Sequence, residues 1–162
     1  MLRIQKVYLE TTIFNFPFVD DAPQYKSDTL KLFAEIKAGK YKAFTSEYVM
    51  QELEKTKDTK KLEQMKALIT DFEITVLPVS EEIENLATAY VSGSIIPERY
   101  DMDALHIAVA TVAGMDLIVS LNFKNIVKHK TIVQTEIINA REGYKRVFIH
   151  TPAEVIDHEE NT

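Results

Sequence analysis

The stretch from Tyr100 to Asn122 restricts the fold more than any other part of the chain. It opens with Asp101 and Asp103, continues as Ala-Leu-His-Ile-Ala-Val-Ala-Thr-Val-Ala, breaks at Gly114, and passes at once into Leu117-Ile-Val119 before Ser120-Leu-Asn122. A helix apolar on nearly every side has to be enclosed by other elements. An apolar strand without alternation is expected to be covered on both faces. An acid in the first turn of such a helix sits at the rim of the core or inside a pocket, and it needs a partner. The free N–H groups and positive dipole end of the helix suit Asp101 as an N-cap and tolerate Asp103. A divalent cation is the other partner that compensates a desolvated carboxylate, and both readings stay open for Asp103.

The rest of the chain repeats the alternation of strand and helix. Ile4 to Leu9 reads as a first strand ending at Glu10-Thr11-Thr12, and Ile13 to Val19 as an aromatic loop interrupted by Pro17. Ser27-Asp28 is expected to cap a helix that ends at Gly39; Tyr41 to Phe44 forms a second strand, and Ser46 opens a helix carrying Glu52. A helix over 60–71, a strand over 72–79, a helix from Ser80, a helix over 131–140 and a short strand over 147–149 complete the pattern. This order predicts a three-layer α/β/α fold with a mainly parallel sheet of four to five strands. A single domain over 1–155 is expected, followed by a flexible acidic tail over 156–162.

Composition removes several function classes. There is no cysteine among the 162 residues, which excludes disulfides, thiolate zinc sites and cysteine nucleophiles. The Met1-Leu-Arg-Ile-Gln-Lys6 start is too polar for a signal peptide, and no apolar run has membrane-spanning length, so a cytoplasmic protein without a membrane partner is expected. A net charge of −6 argues against holding nucleic acid by bulk electrostatics but leaves room for local lysines, of which Lys55, Lys124 and Lys128 are candidates for contact with nucleic acid. No glycine-rich turn follows the first strand, so a dinucleotide-binding domain is not supported.

In parallel α/β sheets, functional groups collect beyond the carboxyl ends of the strands. Glu10 and Asn122 stand there directly, Glu52 lies on the helix after the second strand, and Asp103 lies at a helix start. The ordered set Tyr8-Leu-Glu10-Thr-Thr12, Ser46-x5-Glu52-Leu, Asp103-Ala-Leu-His106 and Ile118-Val-Ser120-Leu-Asn122 resembles the PIN-domain family, the metal-dependent ribonuclease fold of VapC-type toxins. The resemblance implies a catalytic set of Glu10, Glu52, Asp103 and Asn122, with Mg²⁺ or Mn²⁺ on Glu10, Glu52 and Asp103. Thr11, Thr12, Asp101, His106 and Ser120 would support it. Two positions depart from the pattern: Glu10 stands where Asp is commoner, and Asn122 brings an oxygen without a charge, which favours one metal over two.

The function implied is hydrolysis of RNA phosphodiesters by an endoribonuclease that is the toxin of a toxin–antitoxin pair, with an antitoxin as protein partner. The alternative is a degenerate domain that keeps the fold and binds RNA or protein without cutting. The aromatic segment Phe14-Asn-Phe16-Pro-Phe18 would serve as a homodimer contact if it were exposed.

Overall fold

The structure is a computed structural model that describes residues 3–158. Five strands, β1 (Gln5–Leu9), β2 (Tyr41–Ser46), β3 (Thr75–Leu77), β4 (Leu117–Val119) and β5 (Phe148–His150), form one sheet in the order β3-β2-β1-β4-β5. All neighbouring pairs are parallel, with Val7 opposite both Ala43 and Leu117, and Val119 opposite His150. Consecutive residues of a strand point to opposite faces, so the complete burial of Val7, Tyr8 and Leu9 means that both faces are covered.

The covering helices are α1 (Thr11–Asn15), α2 (Pro23–Lys37), α3 (Glu47–Leu53), α4 (Thr59–Asp71), α5 (Glu81–Ser92), α6 (Asp101–Val112), α7 (His129–Arg141) and α8 (Pro152–Val155). Ser46, Asp58 and Ser80 cap α3, α4 and α5 by accepting the N–H groups of Val49, Lys61 and Ile83. The apolar helix α6 packs against α5, and its residues Ala104 and Ile107 to Ala110 are fully buried, as its lack of a polar face demands. Gly114, at a φ of +72°, supplies the left-handed residue that ends the helix before β4. No helix among the described residues is long and apolar enough to cross a membrane.

Several boundaries differ from those expected. The segment read as an aromatic loop is helical: α1 starts directly after Glu10, whose carbonyl accepts the Ile13 N–H at 3.0 Å, and a 3-10 turn follows over Phe16–Phe18. Burial of Ile13 and Phe14 drives this reversal, and Pro17 sits in the first turn, where its missing N–H costs nothing. Helix α2 begins at Pro23 rather than at Ser27, and Asp28 is a buried residue one turn in that accepts the Gln24 amide at 2.9 Å. Strand β3 is shorter than 72–79 because Ile74 N–H still bonds the Ile69 carbonyl at the end of α4. Tyr100, not Asp101, occupies the N-cap position of α6. Ile156, expected at the start of a flexible tail, is buried, and Asp157 pairs with Lys40 at 3.0 Å; residues 159–162 of that tail lie outside the described residues.

Candidate metal centre

The parallel register brings the ends of β1 and β4 side by side, with Glu10 N–H bonded to the Val119 carbonyl at 3.2 Å. Glu10 therefore turns inward at the carboxyl edge of the sheet, and it is only 3% exposed. Its Oε1 accepts from the hydroxyls of Thr12 and Ser120, each at 2.6 Å. Ser120 Oγ in turn accepts the Asn122 N–H at 2.9 Å, and Thr12 Oγ1 accepts the Leu121 N–H at 2.8 Å, which locks the two strand ends together. Burial pushes the Glu10 carboxyl up; the neighbouring His106 charge and the two hydroxyls offset this only in part, and Glu52 adds to it.

Glu52 approaches from α3, and its Oε1 accepts the Thr11 hydroxyl at 2.6 Å and the Nε2–H of His106 from α6. His106 is fully buried, and its Nδ1 meets the Tyr8 hydroxyl at 2.7 Å; that hydroxyl lies 2.8 Å from Ser46 Oγ. The imidazole is thus held at both nitrogens, which fixes the ring plane and directs Nε2 toward the carboxylates. Burial disfavours charge on His106, yet the bond to Glu52 and the charges of Glu10, Glu52 and Asp103 outweigh it and raise its pKa. For Glu52, burial likewise acts upward, but the bond and charge of His106, with the Thr11 bond and the Lys55 charge, carry it below its ordinary value.

One ligand atom each from Glu10, Glu52 and His106 lies within 4.8 Å of the other two, a separation at which a single cation can touch all three. Two carboxylates and an imidazole are a donor set suited to a divalent ion, and Glu10, whose carboxyl is pushed up by burial, is the group such an ion would relieve most. Asp103, expected to be the third ligand, lies beside this cluster rather than in it. Its Oδ1 accepts the Asn122 amide at 3.1 Å and its Oδ2 the Asn125 amide at 2.8 Å. Because Asn122 N–H also reaches Ser120 Oγ, a continuous hydrogen-bonded path joins Asp103 to Glu10.

Of the remaining candidates, Asp101 is exposed, and Lys55 and Lys128 are exposed cations. The Lys124 ammonium bonds the Tyr100 hydroxyl and lies 4.4 Å from the centre of that ring. Phe14 is fully buried and belongs to the core, which leaves Phe16 and Phe18 half-buried. Sequence reasoning missed Tyr8, Ser46 and Asn125 as parts of the site. A tyrosine inside a strand reads as core, and Asn125, in the short connection after Asn122, carries no periodic signal; only its buried amide, 5% exposed, marks it.

Comparison with solved structures finds a chain of the crystal structure of VapBC2 from Rickettsia felis bound to a DNA fragment from their promoter. The two superpose with a TM-score of 0.55 at 15% sequence identity, over 90% of this chain and 98% of that chain. At this identity the likeness is one of fold, and it agrees with the PIN-like α/β architecture expected from the order of elements. No protein-family model matches the sequence, and no curated protein does.

Proposed function

We propose that the protein is a Mg²⁺- or Mn²⁺-dependent endoribonuclease that hydrolyses RNA phosphodiesters and acts as the toxin of a toxin–antitoxin pair. The observation that carries this reading is the convergence of Glu10, Glu52 and His106 within 4.8 Å at the carboxyl edge of the sheet. The fold likeness to a chain of VapBC2 supports the toxin assignment and a protein antitoxin as partner. Glu10 and Glu52 would hold the ion, joined by His106 once its Nε2 gives up the proton it shares with Glu52, with Asp103 and Asn122 as the adjoining polar group. A divalent ion supplies Lewis acidity and positive charge to a phosphodiester.

The chain's own residues divide the remaining work by exposure. The Glu52 side chain is 28% exposed while His106 is fully buried, so Glu52 is the group placed to take a proton from an attacking water. Tyr8 and Ser46 keep the imidazole in orientation, and Ser120 and Thr12 hold the Glu10 carboxylate in its rotamer. Asn122 and Asn125 fix the orientation of the Asp103 carboxyl group at the edge of the site. A binding-only domain is the second reading, favoured by the two amides that already engage both oxygens of Asp103.

Labelled RNA incubated with Mn²⁺ or Mg²⁺ decides between them. Cleavage that disappears with chelator and in Glu52→Gln and Asp103→Asn supports the nuclease; intact RNA with the wild-type protein under both metals leaves only the binding domain.

A further inference from the structure

Phe16, Tyr25 and Phe123 come from separate parts of the chain and meet on the surface next to the acids. The Phe16 ring stands edge-on to Tyr25 at 5.7 Å, and Tyr25 is tilted by 37° to Phe123 at 5.6 Å. Tyr25 is 42% exposed and Phe123 45% exposed, and neither packs into the hydrophobic core. Burial of apolar area therefore gives little reason for two large rings to stand together there.

Their position relates them to the site. Phe123 directly follows Asn122, whose amide binds Asp103. Lys124, the next residue, lies over the Tyr100 ring, and the Arg99 guanidinium sits 5.1 Å from the centre of the same ring. Tyr100 is the N-cap of α6, just ahead of Asp103. In a chain of net charge −6, the consecutive residues Phe123 and Lys124 after Asn122 thus join the exposed rings to a ring carrying two cations. Flat apolar faces beside positive charge suit a base and its adjoining phosphate in a single strand.

We propose that Tyr25 and Phe123 form a stacking platform for an unpaired base of single-stranded RNA, while Lys124 and Arg99 take an adjoining phosphate. The platform rests on the endoribonuclease reading for the identity of the strand as RNA, and it restricts the substrate to segments whose bases are free to stack. A duplex presents its phosphates but keeps its bases paired, so it gains the cations and not the rings.

The chain contains no tryptophan, so Phe123→Trp places a single indole reporter in the platform. In EDTA, where metal-dependent cleavage is blocked, a mixed-sequence single-stranded RNA is expected to quench that fluorescence. An abasic strand of the same length and the corresponding duplex are expected to leave it unchanged. Tyr25→Ala in the same background is expected to weaken single-strand binding roughly 5- to 150-fold, and Tyr25→Phe to retain it. Far-UV circular dichroism and thermal unfolding are expected to match the wild type, because the substituted residues are exposed. Equal quenching by the abasic strand or the duplex overturns the platform. Unchanged RNA affinity in the Tyr25→Ala/Phe123→Ala double variant also overturns it and assigns the patch to a protein surface. Base-dependent quenching without cleavage under any metal removes the nuclease reading and leaves the platform standing, whereas cleavage with an unchanged KM in the double variant does the reverse.

Discussion

Asp116 and Glu10 are buried carboxylates at opposite ends of the same sheet, 8% and 3% exposed, and their surroundings treat charge in opposite ways. Asp116, just before β4, accepts two bonds from the Arg3 guanidinium at 3.1 and 2.7 Å, one from Lys145 at 3.0 Å and one from the Lys6 N–H at 2.7 Å. Burial would raise its carboxyl, but these donors outweigh burial and hold it well below the usual carboxylate range. Glu10, just after β1, has among the described residues only the Thr12 and Ser120 hydroxyls as side-chain donors, and burial raises it. The contrast separates a carboxylate that ties the start of the sheet together from one whose charge is left for something else to compensate. Placing a carboxylate that is compensated only in part at the carboxyl edge is what a cation site requires.

Breaking the functional side of the comparison is expected to give the largest effect. Glu10→Gln and Glu52→Gln should each lower metal-dependent RNA cleavage by about 100-fold or more, a loss of roughly 2.7 kcal/mol in transition-state stabilisation. Single-turnover cleavage at saturating Mn²⁺ measures it. A divalent ion should also protect the wild-type protein against unfolding by roughly 2.7 kcal/mol at a concentration 100 times its Kd, and this protection should vanish in Glu10→Gln yet survive in Asp116→Ala. Thermal unfolding with and without Mn²⁺ reads both.

On the structural side, Asp116→Ala should destabilise the metal-free fold by about 2 kcal/mol, because it strands a part-buried backbone N–H and removes the anchor of Arg3 and Lys145. Glu10→Gln should do the opposite and stabilise the metal-free protein by roughly 1 kcal/mol near neutral pH, as urea denaturation would show.

The two carboxylates also predict opposite pH dependence. The folded-state value of Asp116 is depressed, so its contribution is present above the ordinary value of 3.8 and fades as pH falls below it. The folded-state value of Glu10 is raised, so its contribution is present below the ordinary value of 4.5 and fades as pH rises through the higher folded value. The stability gap between Glu10→Gln and wild type should therefore open above pH 4.5, while the gap for Asp116→Ala should close toward acid. A gap for Glu10→Gln that stays constant across this range would show that its carboxyl has ordinary surroundings.

Much of the layered fold could be read from patterning, since the all-apolar helix α6 and the strand Leu117–Val119 have only one stable environment. Helix α1 could not, because its hydrogen bonds begin at Glu10 and its stability comes from the burial of Ile13 and Phe14 rather than from a cap or a repeat. Glu10 and Glu52 were legible as partners from their positions after β1 and on α3. His106 was legible only as a neighbour on α6, and Asn125 not at all, since a loop amide acquires meaning only from the carboxylate it meets.

The amino-acid sequence by itself determined the alternation of strands and helices, the exclusion of cysteine chemistry, and the supply of oxygen ligands near strand ends. Those follow from local periodicity and from residue type. Tertiary structure alone decided that Glu10 and Glu52 meet His106 while Asp103 meets Asn122 and Asn125. The reason is physical: contacts between residues 41 or 110 positions apart, such as Thr11 with Glu52 or Ser120 with Glu10, depend on strand order and register, which no local pattern encodes.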